Sequence, residues 1–473
     1  MTKVRSLCPQ RVIAAFVLTA FFTVFAGVTA RSQMTGAGSI NGTVEDANQA
    51  VIPNAQVTVT DVDTGVVHNY TTNGSGLYTA PFLLPGHYEV DAAAPNFGKV
   101  QERGITLLVG QTLTVNLVLK VNTATTTVEV SATNQILDTE KTEVSQVVDS
   151  QLVANLPVNA RNWSDFVLLT PNVTQDGGSG LVSFHGISGL YNQNYVDGAN
   201  NNQMLFSEAR GRASGAPYVY SIDSIKEFQA ETSNYSVEFG QAAGGQVNAI
   251  TKSGTDNLHG DLFYFLRYPT LNALDTYTKY NALFNQSNPI IKGFLLTQPT
   301  HQQQHFGGSV GGPFIKDRLF YFFTYDGFRK VGKALYTDSN NISLTPSGKT
   351  TSTTTITPDQ CPTATAANYT APTANPNAFI TAAQCSAGIQ FLISQSTAAP
   401  SRFSKEDLFF PRLDFHLNSK NDVFVDFNFS NFQSTNGYSP AATFSNSSPS
   451  TNGPTFYHER FLVGGWTMQI GNS

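Results

Sequence analysis

Four stretches of this 473-residue chain hold side chains whose types and spacing could do chemistry. The first, GGQVNAITKSG at 244–254, sets Lys252 among Gly244, Gly245 and Gly254, the ingredients of a phosphate cradle. A P-loop requires G-x-x-x-x-G-K-[ST], with glycine directly before the lysine so that backbone amides wrap the phosphate. Ile250-Thr251 stands there instead, so the stretch reads as a strand over 246–251, a turn over 252–257 and a new strand from Leu258, with the glycines supplying backbone freedom. The second, His301 and His305 in HQQQH, has the i, i+4 spacing that puts two rings on one helical face for a metal. The run enters a glycine-rich strand and no carboxylate follows, so a polar, barrel-facing role is expected and no metal site. Third, Arg161 and Glu238 could be catalytic, but no Ser, His or Cys stands in a recognisable arrangement with them, and solvated or internal salt bridges are expected. Fourth, Cys361 and Cys385 lie together in a Ser/Thr/Ala/Pro-rich segment. The chain has no H-x-x-E or H-E-x-x-H pattern, nucleophile elbow or dinucleotide fingerprint. The expectation is a protein that is not an enzyme and uses no cofactor.

The elements that must position these residues follow from composition. Charged residues make up 13% of the chain, about half the usual share, while Gly, Asn, Ser, Thr and aromatics are abundant. That balance suits an exported or outer-membrane all-β protein. Lys3, Arg5 and Arg11 precede an apolar run over 12–28 that ends in Val28-Thr29-Ala30. Residues 1–30 therefore read as a removed signal peptide, the run being short for a membrane anchor. Removal takes away three positive charges and shifts the formal charge of −6 further negative, which excludes nucleic acid as a partner. No later apolar run is long enough for a spanning helix, so membrane insertion would need a β-barrel. In an exported chain Cys361 and Cys385 most simply form a disulfide, constraining the loop by roughly 3 kcal/mol.

Residues 37–120 alternate apolar and polar side chains, as in Val57, Val59 and Val90, between turns at Asn73-Gly74, Pro85-Gly86 and Pro95-Asn96. About seven strands are expected there, forming a small β-sandwich. Ile40-x-Gly42-x-Val44, Ile52-Pro53-x-Ala55-x-Val57, Gly76-x-Tyr78 and Leu84-Pro85-Gly86-x-Tyr88 resemble the carboxypeptidase regulatory-like, transthyretin-like domain, an accessory module without peptidase activity. Residues 123–255 read as mixed α/β, with short helices expected over 144–156 and 160–169 and a helix or turn over 221–227. Beyond residue 260 the composition changes, 23 of the 34 phenylalanines lying in 261–473. Strands are expected at 259–268, 303–311, 317–329, 408–417, 422–432 and 457–470. Val423, Val425, Phe427 and Phe429 alternate with Phe424, Asp426, Asn428 and Ser430, as for a wall with lipid on one side and a wet lumen on the other. A short turn at 418–421 and a long loop at 331–405 give the asymmetry of outer-membrane barrels.

Leu156-Pro157-x-Asn159-x-Arg161-Asn162, Tyr195-Val196-Asp197-Gly198, Ile225-Lys226-Glu227-Phe228, Tyr235-Ser236-x-Glu238-Phe239-Gly240, Gly244-Gly245 and Thr251-Lys252-Ser253-Gly254-Thr255 resemble the plug of TonB-dependent outer-membrane receptors. The likeness is greatest to the Oar-like group, in which a carboxypeptidase regulatory-like domain precedes the plug. Phe306-Gly307-Gly308 and Asp317-Arg318-Leu319-Phe320 resemble that group's first barrel strands. The resemblance implies a mainly β chain: a sandwich at 37–120 in the periplasm, a plug at 123–255, and an incomplete transmembrane barrel at 258–473. It implies outer-membrane lipid around the barrel, a TonB–ExbB–ExbD complex that supplies energy, and an extracellular ligand such as an iron chelate, cobalamin or carbohydrate. Thr127-Val128-Glu129-Val130, within 125–131, is similar to a TonB box and reads equally as the plug's first strand. Six barrel strands fall short of the ~22 of such transporters, so an N-terminal part of a longer receptor is expected. The competing reading is a secreted or surface-attached adhesin or carbohydrate-binding β protein.

Overall fold

Period-two alternation bounded by glycine, proline and asparagine builds nearly every element of the computed structural model, which describes residues 36–121, 128–131, 144–155, 163–176, 181–202, 219–235, 240–271, 302–333, 335–336, 401–435, 444–445 and 453–469, with isolated residues in 273–283 and 384–391. The expected signal peptide at 1–30 lies outside the described residues.

The N-terminal sandwich comprises β1 (Gly38–Asp46), β2 (Gln56–Asp61), β3 (Val67–Thr71), β4 (Leu77–Leu83), β5 (Gly86–Ala93), β6 (Val100–Leu107), β7 (Thr112–Thr114) and β8 (Leu117–Leu119). One sheet runs β4-β1-β7 with β8 also on β1, and the other runs β3-β2-β5-β6. The expected single strand at 113–119 is split because the Asn116 side chain accepts the Thr43 amide hydrogen bond at 2.9 Å, where a ladder carbonyl would otherwise stand. Ile40, Val44, Val57, Val59, Val90, Ile105 and Leu117 share one buried cluster, each side chain stabilising the fold by roughly 1.5–3 kcal/mol. β9 (Val128–Ser131) extends the second sheet, parallel to β6.

The central region holds β10 (Val144–Val148), α1 (Ser150–Asn155), β11 (Val173–Asp176), β12 (Leu181–Phe184), β13 (Gln193–Val196), β14 (Ala199–Asn200), β15 (Ile225–Ser233) and β16 (Gln246–Thr251). Its main sheet has the order β10-β15-β16-β13-β14. The helix expected over 144–156 is corrected to a strand followed by a short helix. β-Branched Val144, Val147 and Val148 favour the strand, which pairs with β15 from Val148↔Phe228 to Val144↔Ser233. Asp149 caps what remains of the helix by accepting the Leu152 amide at 2.9 Å. The expectations at 160–169 and 221–227 become 3-10 turns, Trp163–Leu169 and Ile222–Ser224.

The third unit is one antiparallel sheet of six long strands, β17 (His259–Arg267), β18 (Gln302–Ile315), β19 (Leu319–Lys333), β21 (Ser401–Asn418), β22 (Asn421–Ser434) and β24 (Thr455–Met468), in that order. Two-residue strands β20 (Leu335–Tyr336) and β23 (Phe444–Ser445) pair with each other. β19 and β21 run into the stretch expected as a loop at 331–405, shortening it at both ends. β18, β19, β21, β22 and β24 have 14–18 residues each, more than the ~9–11 that cross a bilayer. Phe322, Thr324, Asp326, Leu408, Phe410, Arg412, Asp426 and Asn428 are buried on the inward face. The outward positions of β21, β22 and β24 include Phe409, Leu413, Val425, Phe427, Leu462 and Trp466. This apolar belt lies between a charged rim of Arg329, Lys405, Asp407 and Arg460 and the turns carrying Lys316, Asp317, Arg318 and Lys420. The layout is that of a membrane-facing wall. Among the described residues the two edges, β17 and β24, do not pair, so the sheet is open.

The sandwich packs at the tight-turn end of this wall. The Asp63 carbonyl accepts the Asp256 amide at 3.0 Å, His68 Nδ1 lies 3.3 Å from the Ser419 carbonyl, and Lys226 Nζ donates to the Pro85 carbonyl.

Candidate functional site

The central sheet meets the wall through polar groups centred on Arg412. Asp197 and Gly198 form the two-residue turn between β13 and β14, both with positive φ, 48° and 79°. That left-handed pair is the type I′ geometry that Asp-Gly favours. The turn aims the Asp197 carboxylate at the end of β16, where it accepts the Thr251 amide at 3.0 Å and the Thr251 hydroxyl at 2.7 Å. Arg412, from β21, donates through Nη1 to Thr251 Oγ1 at 2.7 Å and lies 3.2 Å from Asp197 Oδ1. Its Nε and Nη2 hold Asp414 at 3.0 and 2.8 Å, and its guanidinium carbon stands 4.6 Å above the Phe424 ring. Arg412 is 1% exposed, as is Asp426, which stands opposite it in the β21–β22 register. One buried cation therefore pairs with two carboxylates, those of Asp197 and Asp414, while both oxygens of the neighbouring Asp426 have no hydrogen-bond partner among the described residues.

A second contact lies further along the same face. Ser221 caps the 3-10 turn at Ile222–Ser224 and donates its hydroxyl to Asp326 at 2.7 Å. Asn428 donates to the Val219 carbonyl at 2.7 Å, and Ser430 donates to Glu406 at 2.8 Å. Tyr220 meets Phe410 edge-on at 5.9 Å. The seam is therefore polar over much of its length, although Phe322, Leu408 and Phe410 add apolar contacts to the central core. On the opposite face of the central sheet, out of phase with Thr251 and toward the sandwich, the buried side-chain amides of Gln246 and Asn248 and the Oε1 of Glu227 have no hydrogen-bond partner among the described residues.

The glycines of 244–254 act by close approach rather than by the backbone freedom expected of them, since none of the three has a positive φ. A Cβ on Gly245 would meet the Phe184 ring and the Glu231 carbonyl, and one on Gly254 would be driven into the Tyr321 carbonyl. Gly240 has open space around it. Lys252 donates its amide to the Ser224 carbonyl at 2.8 Å, which fixes the start of the turn. Val128, Glu129 and Val130 lie on β9 against the sandwich; the alternative that they form the first strand of the central sheet is overturned, that place being taken by β10. Thr127, Arg161, Asn162, Glu238, His301, Cys361 and Cys385 lie outside the described residues. His305 is buried on β18, 3.7 Å from Asp326 and edge-on to Phe328. Sequence reasoning missed Arg412, Asp414, Asp326 and Glu406. For Glu406, Arg412 and Asp414 the signal was present as charged residues recurring at even positions, in phase with Leu408 and Phe410, along a strand whose odd positions include Phe409, Leu413 and Phe415.

The residues flanking this seam match known families. Residues 39–120 match the carboxypeptidase regulatory-like domain, and residues 250–473 match an outer membrane beta barrel domain. Over 297 residues, 60% of this chain, the sequence is 27% identical to the TonB-dependent transporter Oar of Myxococcus xanthus. The chain is homologous to that TonB-dependent transporter. It spans 26% of the relative's length. Its barrel domain and its transporter homologue place this TonB-dependent transporter homologue in the outer membrane. Among solved structures, it is similar to the siderophore receptor PirA from Acinetobacter baumannii at 18% identity and TM-score 0.40, over 69% of this chain and 38% of that one. The outer membrane transporter YddB from Escherichia coli aligns at 14% identity and TM-score 0.44, over 69% and 37%.

One titratable group sits where the sandwich meets the central sheet of the transporter homologue. Burial pushes Glu227 up from 4.5 to about 7, partly offset by Lys226 and by the Val109 amide. Because the folded value lies above the ordinary one, packed Glu227 holds extra proton between pH 4.5 and about 7. The stability it confers is therefore greatest at low pH and falls across that window by about 1.4 kcal/mol per unit. Thermal midpoints of detergent-solubilised protein are expected to fall between pH 5 and 7.5, and Glu227→Gln is expected to flatten the decline. Parallel pH profiles for the two proteins would contradict the burial of this carboxyl.

Proposed function

We propose that the chain is an outer-membrane receptor that binds an extracellular ligand and imports it with energy transmitted by TonB, with residues 123–255 as the plug that moves. The observation that carries this reading is the buried Asp197–Thr251–Arg412–Asp414 seam between central sheet and wall. An apolar interface resists parting because all of its area must be rehydrated. A hydrogen-bonded one exchanges protein partners for water at a net ~1.5–3 kcal/mol per bond to a charged group.

On this reading ligand docks from the long-loop side. TonB, driven by ExbB and ExbD, pulls on 125–131 from the periplasm, where the sandwich lies. The seam then parts by hydration, while Arg412 and Asp197 restore a single docked register when the force ends. The best-attested use of a buried polar pair is this choice of one arrangement. The ligand is an iron chelate, cobalamin or a carbohydrate.

Uptake of labelled ferric siderophores, cobalamin and oligosaccharides, measured in the parent strain and in strains lacking this chain or TonB, tests the proposal. One class is expected to be lost in both mutants together. Unchanged uptake of every class in the strain lacking the chain would overturn it.

A further inference from the structure

The segment that the proposed function assigns to TonB is already part of a sheet. β9 runs parallel to β6 in the register Val100↔Val128, Gln101↔Glu129, Glu102↔Val130 and Arg103↔Ser131. It ends the order β3-β2-β5-β6-β9, and among the described residues no strand pairs with its other edge. The sandwich that carries it is itself docked, through the Pro85 carbonyl to Lys226, the Val109 amide to Glu227, and His68 to the Ser419 carbonyl.

We propose that the sandwich is a presentation platform: it holds residues 128–131 extended so that the incoming strand of TonB adds to the open outer edge of β9 without displacing it from β6. The inference rests on the reading of 125–131 as the TonB-binding segment. Strand addition requires an extended peptide, and ordering a free segment consumes much of the binding energy that its main-chain hydrogen bonds return. On β6 that ordering is complete before TonB arrives, and an edge strand offers a row of main-chain donors and acceptors. Displacement would first break the β6–β9 ladder and leave a bare edge on β6, whereas addition breaks nothing. The mechanical consequence is that a pull on β9 loads β6, so force reaches the docked sandwich before it reaches the central sheet.

A disulfide across the ladder separates addition from displacement. In a Cys361→Ser, Cys385→Ser background, Gln101→Cys and Glu129→Cys occupy partnered positions and would lock β9 onto β6, with thiol titration reporting closure. The purified periplasmic domain of TonB, fluorescently labelled, is titrated against the oxidised and the reduced protein. Oxidised protein is expected to bind at least as tightly as reduced protein, and weakening by tenfold or more on oxidation would overturn the platform. Deletion of residues 38–120 is expected to weaken binding by about tenfold or more, since pre-ordering is lost; unchanged or tighter binding would overturn it. A synthetic peptide of residues 125–131 separates the two ideas. If neither peptide nor protein binds the TonB domain, the TonB-segment reading fails and takes the platform with it. If the peptide binds but the deletion variant binds as tightly as the full chain, or oxidation weakens binding tenfold or more, the platform alone fails.

Discussion

Arg412→Ala is expected to loosen the central sheet from the wall by about 3–5 kcal/mol, the cost of leaving buried charges without their partner. Asp197 and Asp414 both depend on this guanidinium, which is 1% exposed and lies out of reach of solvent compensation. Truncation also empties the space above the Phe424 ring, where the cation stands at 4.6 Å. The effect should appear as faster proteolysis in the 252–257 turn and as entry of large antibiotics that the intact outer membrane excludes. Charge and packing are separable: Arg412→Met combined with Asp197→Asn and Asp414→Asn removes most of the charge while keeping volume, and is expected to recover most of the loss. A cycle of Asp197→Asn and Arg412→Ala should show a coupling of about 1 kcal/mol or more, as residues sharing one network do. Additive effects, or an Arg412→Ala protein as protease-resistant as wild type, would mean that the seam does not hold the sheet in place.

That cluster also shows where a linear reading stops. Arg412 and Thr251 are 161 positions apart, and nothing local to either residue names the other. The wall strands were legible because side chains on a strand point alternately to its two faces, so Val423 to Ser430 carry both faces within eight letters. The sandwich was legible for the same reason. A strand's letters state its period but not its neighbour: Val128, Glu129 and Val130 suit an edge of either sheet, and only the tertiary register with Val100, Gln101 and Glu102 assigns them to the sandwich. A helix is expected over 144–156, yet the pairing of Val144 to Val148 with β15 overrides that local reading. Gly244, Gly245 and Gly254 were visible as necessary glycines, but the reason was not, since it lies in Asn192, Phe184 and Tyr321, which approach from elsewhere in the chain.

Val425→Arg is expected to destabilise the wall by about 2–4 kcal/mol, the cost of an arginine near the bilayer midplane on a barrel's lipid face. Val425 is 40% exposed, within the outward row Val423, Val425, Phe427 and Phe429 of β22. It pairs with Leu413 on one side and Gly464 on the other, so no carboxylate stands directly opposite to receive the new charge. Asn431→Arg provides the contrast. Asn431 follows the same outward phase two residues beyond Phe429, where its Oδ1 already accepts Arg460 Nη2 at 2.8 Å, and near the interface the cost falls to about 0–1 kcal/mol. Urea titrations of folding into lipid vesicles would give both values on one scale. A large penalty at 425 with a small one at 431 fits a lipid belt that ends at the Arg460 rim. Equal and small penalties would mean that this face meets water, and the sheet could then not be the wall of a membrane barrel.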